Sequence, residues 1–178
     1  MYHFGRWSHY AAERDCVTDR IHNVKGGDGM RECREPIKVE RPPPARNGRA
    51  ILKIDAVPEQ VRVGRVWVGD WVYDHGFAAG ASSAAEMIAS ELVTNALRHG
   101  ETAGGAIEVR AFLDRGGRAV LEVLDASDRP PLVLGEDLVG EGGRGLFLVR
   151  LTTRELAWHP LRGGGKVVWC VLRAERAV

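Results

Sequence analysis

Two largely apolar runs, the first alternating with polar residues, flank a short break that carries two glycines. They are Ala106-Ile107-Glu108-Val109-Arg110-Ala111-Phe112-Leu113 and Ala119-Val120-Leu121-Glu122-Val123-Leu124, separated by Asp114-Arg115-Gly116-Gly117. Side chains alternate between the faces of a strand, and glycines supply the dihedrals of a tight reversal, so this stretch predicts a β-hairpin. An apolar antiparallel pair needs a second layer to cover it. Upstream, Ala50-Ile51-Leu52-Lys53-Ile54 reads as a strand, and Pro58 stands where a helix can start, with Glu59 in its first turn. Val61, Arg62, Arg65, Val66, Trp67 and Val72 continue a helical pattern to His75-Gly76. Ser82 or Ser83 is the expected cap of a second helix that runs to Arg98 or His99 and stops at Gly100. Downstream come a short helix from Gly145 to Leu151 and two strands, near 154–158 and 166–172, that meet across 160–165. Helices early and antiparallel strands late predict an α+β chain, a two-layer α/β sandwich with a mixed, largely antiparallel sheet and helices on one face.

A chain of 178 residues suits one domain with room for a tail. Residues 1–50 hold ten Lys/Arg against seven Asp/Glu, with few large aliphatics and two interruptions, Gly26-Gly27-Asp28-Gly29 and Pro42-Pro43-Pro44. Such a segment buries too little apolar surface to offset its ordering entropy. The expected organisation is therefore a disordered N-terminal extension over 1–49 and a folded domain over 50–175. The net charge of +1 makes no electrostatic case for nucleic acid or an anionic membrane as partner. No apolar run reaches the roughly 18 residues that span a bilayer, and residues 1–10 lack a signal-peptide core. Cys16, Cys33 and Cys170 have no metal-ligand spacing and read as free thiols of a cytoplasmic protein.

The chemistry concentrates in Ser90-Glu91-Leu92-Val93-Thr94-Asn95-Ala96-Leu97-Arg98-His99-Gly100. On a helix of 3.6 residues per turn, Glu91 and Asn95 share a face one turn apart. An acid and an amide so placed, with Arg98 and His99 beyond, suit a magnesium–phosphate site, because magnesium takes oxygen ligands from protein and nucleotide together. The same residues would equally suit a solvated helix face. Asp125-Ala126-Ser127 ends an apolar strand, where a carboxylate can accept a hydrogen bond from an amino group such as that of adenine. A turn aspartate capping the backbone of Asp128 or Arg129 is the other reading. Gly140-Glu141-Gly142-Gly143-Arg144-Gly145-Leu146 leads into the short helix, and glycines there let the backbone and the helix N-terminus approach an anion, with Arg144 to grip phosphate. It could also be a plain surface loop. Gly163-Gly164-Gly165-Lys166-Val167-Val168-Trp169 opens the last strand and, alone, reads as a glycine hairpin.

Taken in order, these four boxes resemble the GHKL (Bergerat-fold) ATP-binding superfamily over roughly residues 50–173. The branch they are most similar to is that of the anti-sigma-factor serine/threonine kinases of short actinobacterial type. The resemblance implies ATP and Mg2+ as cofactors. Asn95 matches the magnesium-binding asparagine, Glu91 the general base towards the attacking hydroxyl, and Asp125 the adenine-binding aspartate. Gly142, Gly143, Arg144, Gly145 and Leu146 match the phosphate-facing turn after a nucleotide lid, here 128–141. Arg65 resembles a first-helix arginine facing the partner and the reaction centre, although an ordinary exposed arginine would look the same. Ser127 holds the first glycine position of the Gly-x-Gly that follows the aspartate in the wider superfamily. Lys166 belongs to the last box, but Val167 stands where threonine is common, which requires water or Ser127 to replace the lost hydroxyl.

The activity so implied is phosphorylation of a serine or threonine on an anti-sigma-factor antagonist of STAS type, together with sequestration of a sigma factor. Several relatives are homodimers, and the resemblance leaves open whether this chain is one. The alternative is a catalytically degenerate module that binds its partner without transferring phosphate. The catalytic half of a two-component histidine kinase is disfavoured, since no phosphoacceptor helix pair precedes residue 50.

Overall fold

In the computed structural model, residues 34–100, 105–134, 144–174 and 176 are described. The elements run β1 (Arg34–Pro36), β2 (Lys38–Val39), β3 (Ala50–Asp55), α1 (Gln60–Asp74), α2 (Ala79–His99), β4 (Ala106–Leu113), β5 (Ala119–Asp125), β6 (Leu132–Leu134), α3 (Arg144–Thr152), β7 (Thr153–Pro160) and β8 (Lys166–Leu172). Six strands form one sheet in the order β2-β7-β8-β5-β4-β3, in which only the β2–β7 pair is parallel. A small antiparallel pair, β1–β6, lies apart from it. This is the expected mixed, mostly antiparallel α+β architecture. The predicted hairpin is present: the Asp114 N–H donates to the Arg118 carbonyl, the Gly117 N–H donates back to Asp114, and Gly117 takes φ +77°.

Strand alternation sorts β8 cleanly. Val168, Cys170 and Leu172 join the core shared with the helices, whereas Val167, Trp169 and Val171 form a second apolar cluster with Phe112 and Val120 on the far face. On α2, Ala85, Ile88, Ala89, Leu92, Val93 and Ala96 are buried at helical spacing and hold the helix to the sheet. Helix α1 runs antiparallel to α2: its Gly64 abuts Val93, and its Gly69 abuts Glu86.

Two local expectations are corrected. Ser82 and Ser83 lie inside α2, which begins at Ala79 behind Ala78 without a side-chain cap. The reason is tertiary: Gly76 at φ +78° reverses the chain, and Phe77 is driven into the core, so the helix starts at once. Helix α1 begins at Gln60, with Pro58 accepting the Val61 N–H in the preceding turn.

A further difference concerns residues 34–49, which composition grouped with the extension. Ile37 is buried, and its carbonyl accepts the Trp158 indole N–H at 3.1 Å. The Glu40 carbonyl accepts the Trp169 indole N–H at 2.7 Å, and the Arg46 N–H donates to Leu113. Arg49 then stacks 4.4 Å from the Phe112 ring centroid and reaches the buried Glu122 carboxylate. The segment is held by partners the sheet provides rather than by aliphatics of its own, which is why composition misjudged it. Its prolines need no hydrogen-bond partner for a backbone N–H.

Candidate functional site

Glu91 and Asn95 stand beside the buried stripe of α2, one position before Leu92 and Ala96, and both are half-buried. Neither side chain makes a hydrogen bond or ion pair among the described residues. Glu91 lies against the first turn of α3: a Cβ at Gly145 would overlap its carboxylate. A carboxylate there faces the free N–H groups and positive potential of a helix N-terminus.

At the other end of α2, Gly100 closes on the strand end that carries Asp125. A Cβ at Gly100 would stand 2.7 Å from the Asp125 Cβ, and one at Gly165 would strike the Asp125 carbonyl oxygen. Gly165 also takes φ +81°, which glycine alone adopts cheaply. Asp125 is thus boxed between two glycines. Its Oδ1 accepts the Ser127 N–H at 2.9 Å and the Lys166 Nζ at 2.7 Å. Lys166 Nζ also donates to the Ser127 carbonyl at 3.3 Å, and the Ser127 Oγ accepts the Arg129 N–H at 3.2 Å. The aspartate therefore both organises the turn and holds a buried ammonium.

From the level of Gly100 to that of Glu91, α2 rises nine residues, about 14 Å at ~1.5 Å each. Asn95 lies between. The order along this line is a buried carboxylate, an amide, then a carboxylate at a helix N-terminus. Gly100 and Gly165 let the chain close tightly on Asp125, where a Cβ at either would overlap it, while Glu91 and Asn95 offer unbonded side-chain oxygens of the kind that a magnesium–nucleotide complex accepts.

The remaining predicted residues are distributed as follows. Gly142, Gly143 and lid residues 135–141 lie outside the described residues, as does the side chain of Arg144, which opens α3. Leu146 is buried and anchors α3 in the core. Arg65 is exposed on α1 and bonds to no partner among the described residues. Antiparallel packing of α1 on α2 sets it at about the axial level of Glu91. Val167 corrects an expectation: it faces the far cluster with Phe112 and Trp169, on the side of β8 opposite Lys166. A threonine hydroxyl at this position would point away from Asp125, so no water or Ser127 substitute is called for there. Two residues escaped the sequence reading. Gly100 was seen only as a helix stop, and Asp128 accepts the Gly165 N–H at 2.8 Å, tying the strand-end turn to the β7–β8 hairpin. The Asp-x-Ser-Asp spacing of 125–128 was the available signal for Asp128.

The helices cover the same sheet face that carries the buried Asp125. Residues 54–172 match the histidine kinase-like ATPase domain, and the chain belongs to that family of ATP-binding domains. Among solved structures it is similar to the RsbU and RsbW domains of Rv1364c from Mycobacterium tuberculosis, with a TM-score of 0.54 and 22% identity over 72% of this chain and 34% of that one. The likeness is one of fold, and it covers only about a third of the length of that chain. No curated protein matches the chain. Among the described residues, no helix is long and apolar enough to cross a membrane, and no cluster of His, Cys, Asp and Glu suits a metal held by protein ligands alone.

Proposed function

We propose that this chain is an ATP-dependent serine/threonine kinase of the anti-sigma-factor type, which phosphorylates an anti-sigma-factor antagonist of STAS type and sequesters a sigma factor. The observation that carries this reading is the Glu91–Asn95 pair: two half-buried polar side chains without bonding partners among the described residues, one turn apart, with Glu91 against the α3 N-terminus. Family membership supports the ATP part, and the fold likeness to an RsbW domain is compatible with the kinase part.

When bound, ATP with magnesium supplies the phosphoryl group to be transferred. Asp125 would select adenine by accepting a hydrogen bond from its amino group, and Asn95 would hold the metal through its amide oxygen. Phosphoryl transfer needs mainly positioning and charge neutralisation. Gly145 and the α3 N-terminus would neutralise phosphate charge, a role that the resemblance also gives to Gly142, Gly143 and Arg144. Ser127 and Lys166 hold Asp125 in place, and Leu146 fixes the angle of α3. Glu91 orients the incoming serine hydroxyl and accepts its proton, and Arg65 faces the partner.

The test is transfer of labelled phosphate from ATP to candidate STAS-type proteins. Wild-type chain should label a serine or threonine. Glu91→Gln should keep nucleotide affinity but lose transfer by about 100-fold or more, the scale of a lost general base. No transfer by the wild type, together with nucleotide-independent capture of the partner, would replace the kinase reading with that of a degenerate binding module.

A further inference from the structure

Asp125 stands at one end of β5. Beyond the other end, about 20 Å away at ~3.3 Å per residue, lies a second concavity. It is a cleft of about 560 Å3 whose wall holds Arg46, Arg115, Arg118, Arg154 and Arg176, with Phe77 beneath. The five arginines come from four separate places: the segment before β3, the β4–β5 turn, the start of β7 and the residues after β8. A chain of net charge +1 has no general excess of cations to explain this convergence.

The five guanidinium groups are poorly compensated. Asp114 takes Arg118, accepting its backbone N–H at 2.8 Å and its Nε at 2.7 Å, and so holds that side chain in place. Arg46, Arg115, Arg154 and Arg176 pair with no carboxylate among the described residues, although Arg176 lies 5.8 Å from the Phe77 ring centroid. Four like charges around one space repel each other, and an anion relieves that repulsion. Gly116 and Gly117 form the rim, and Gly117 at φ +77° lets the turn fold tightly beside the cleft. A cleft within the roughly 300–1,000 Å3 of small-molecule sites, but walled by guanidinium forks rather than apolar groups, suits a compact polyanion.

We infer that this cleft is a second ligand site, separate from the nucleotide site, and that it binds an oligophosphate of three or more linked phosphoryl groups. Arginine forks match phosphate oxygens in pairs, and several adjoining phosphates satisfy several forks at once. A free oligophosphate and the phosphate tail of a nucleotide share this chemistry.

Inorganic tripolyphosphate titrated calorimetrically into the full chain, without magnesium, tests the inference. The expected result is saturable binding that weakens steeply with salt. The Arg115→Gln/Arg154→Gln double variant, whose exposed side chains bond to nothing among the described residues, should lose tripolyphosphate affinity at least tenfold while the magnesium-dependent ATP binding that Asn95→Ala abolishes is unchanged. Asn95→Ala should keep tripolyphosphate binding. A parallel titration with a nucleoside triphosphate separates the two sources, since tighter binding of the nucleotide by the same arginines identifies a nucleotide tail. The inference is overturned if tripolyphosphate fails to bind, if the double arginine variant binds it normally, or if Asn95→Ala abolishes it. It is equally overturned if a polyglutamate peptide binds through these arginines more tightly than tripolyphosphate, which would make the cleft a dock for an acidic protein segment.

Discussion

Lys166 and Asp125 face each other directly across β8 and β5, and the Lys166 Nζ lies 2.7 Å from the Asp125 Oδ1 with both side chains almost wholly buried. Desolvating two charges is costly, and their attraction offsets this only when the remaining polar atoms are also satisfied. Here the Ser127 N–H and carbonyl supply the extra hydrogen bonds. The proposed adenine acceptor is therefore a carboxylate held rigidly in a polar box.

Removing one partner strands the other. Lys166→Met should destabilise the fold by about 3–5 kcal/mol, the usual scale for an orphaned buried charge. The Lys166→Met/Asp125→Asn double variant should recover part of that loss. Urea unfolding of the wild type, the Lys166→Met and Asp125→Asn single variants and the double variant measures this coupling, and additive losses would show that the pair is not energetically linked.

Asn95→Ala should abolish magnesium-dependent ATP binding while leaving the urea midpoint nearly unchanged, because its half-buried side chain bonds to nothing in the fold among the described residues. Calorimetry with and without magnesium reads the effect. Unchanged affinity would remove Asn95 from the site.

Two glycine substitutions should separate fold from function. At Gly145 the added Cβ meets the end of the Glu91 side chain, which can swing aside, so Gly145→Ala should lower stability little but cut phosphoryl transfer by roughly 100-fold through misplacement of Glu91. At Gly165 the Cβ meets the Asp125 backbone oxygen and φ is +81°, so Gly165→Ala should cost about 1–3 kcal/mol of stability. Equal melting losses in the two variants would contradict this division.

Burial pushes the Cys170 thiol up to about 12 from a reference of 9.0, against a smaller opposing effect of its backbone hydrogen bond with Leu121. Above pH 9 an unfolded thiol loses its proton while the folded one keeps it, so this residue's contribution to stability falls as pH rises from 9 towards 12. The slope is at most about 1.4 kcal/mol per pH unit. Stability curves of wild type and Cys170→Ala should diverge only above pH 9, with the wild type falling more steeply. At neutral pH, peptide-resolved alkylation should leave Cys170 unmodified until the chain is denatured.

Much of the architecture was legible because it is local. The 106–124 hairpin needs only alternation and a glycine turn, and α2 needs only apolar residues at helical spacing with Glu91 and Asn95 beside them. What went astray depended on distant partners. The start of α2 was misjudged because burial of Phe77, rather than a serine cap, begins the helix. Residues 37–49 were grouped with a tail because their anchors, Trp158, Trp169 and Glu122, lie over 70 residues away in sequence.

The four motif boxes and their order belong to the sequence itself, because side-chain spacing along a single helix or strand follows from fixed periodicity. That suffices for the fold class and for the Glu91–Asn95 face. Only the tertiary structure decided that Val167 points away from Asp125 while Lys166 points at it, since the face a strand presents depends on the register of its neighbours. The same holds for the five-arginine cleft. Its members are scattered from residue 46 to residue 176, and only sheet pairing and chain packing, which no local pattern encodes, bring those charges together.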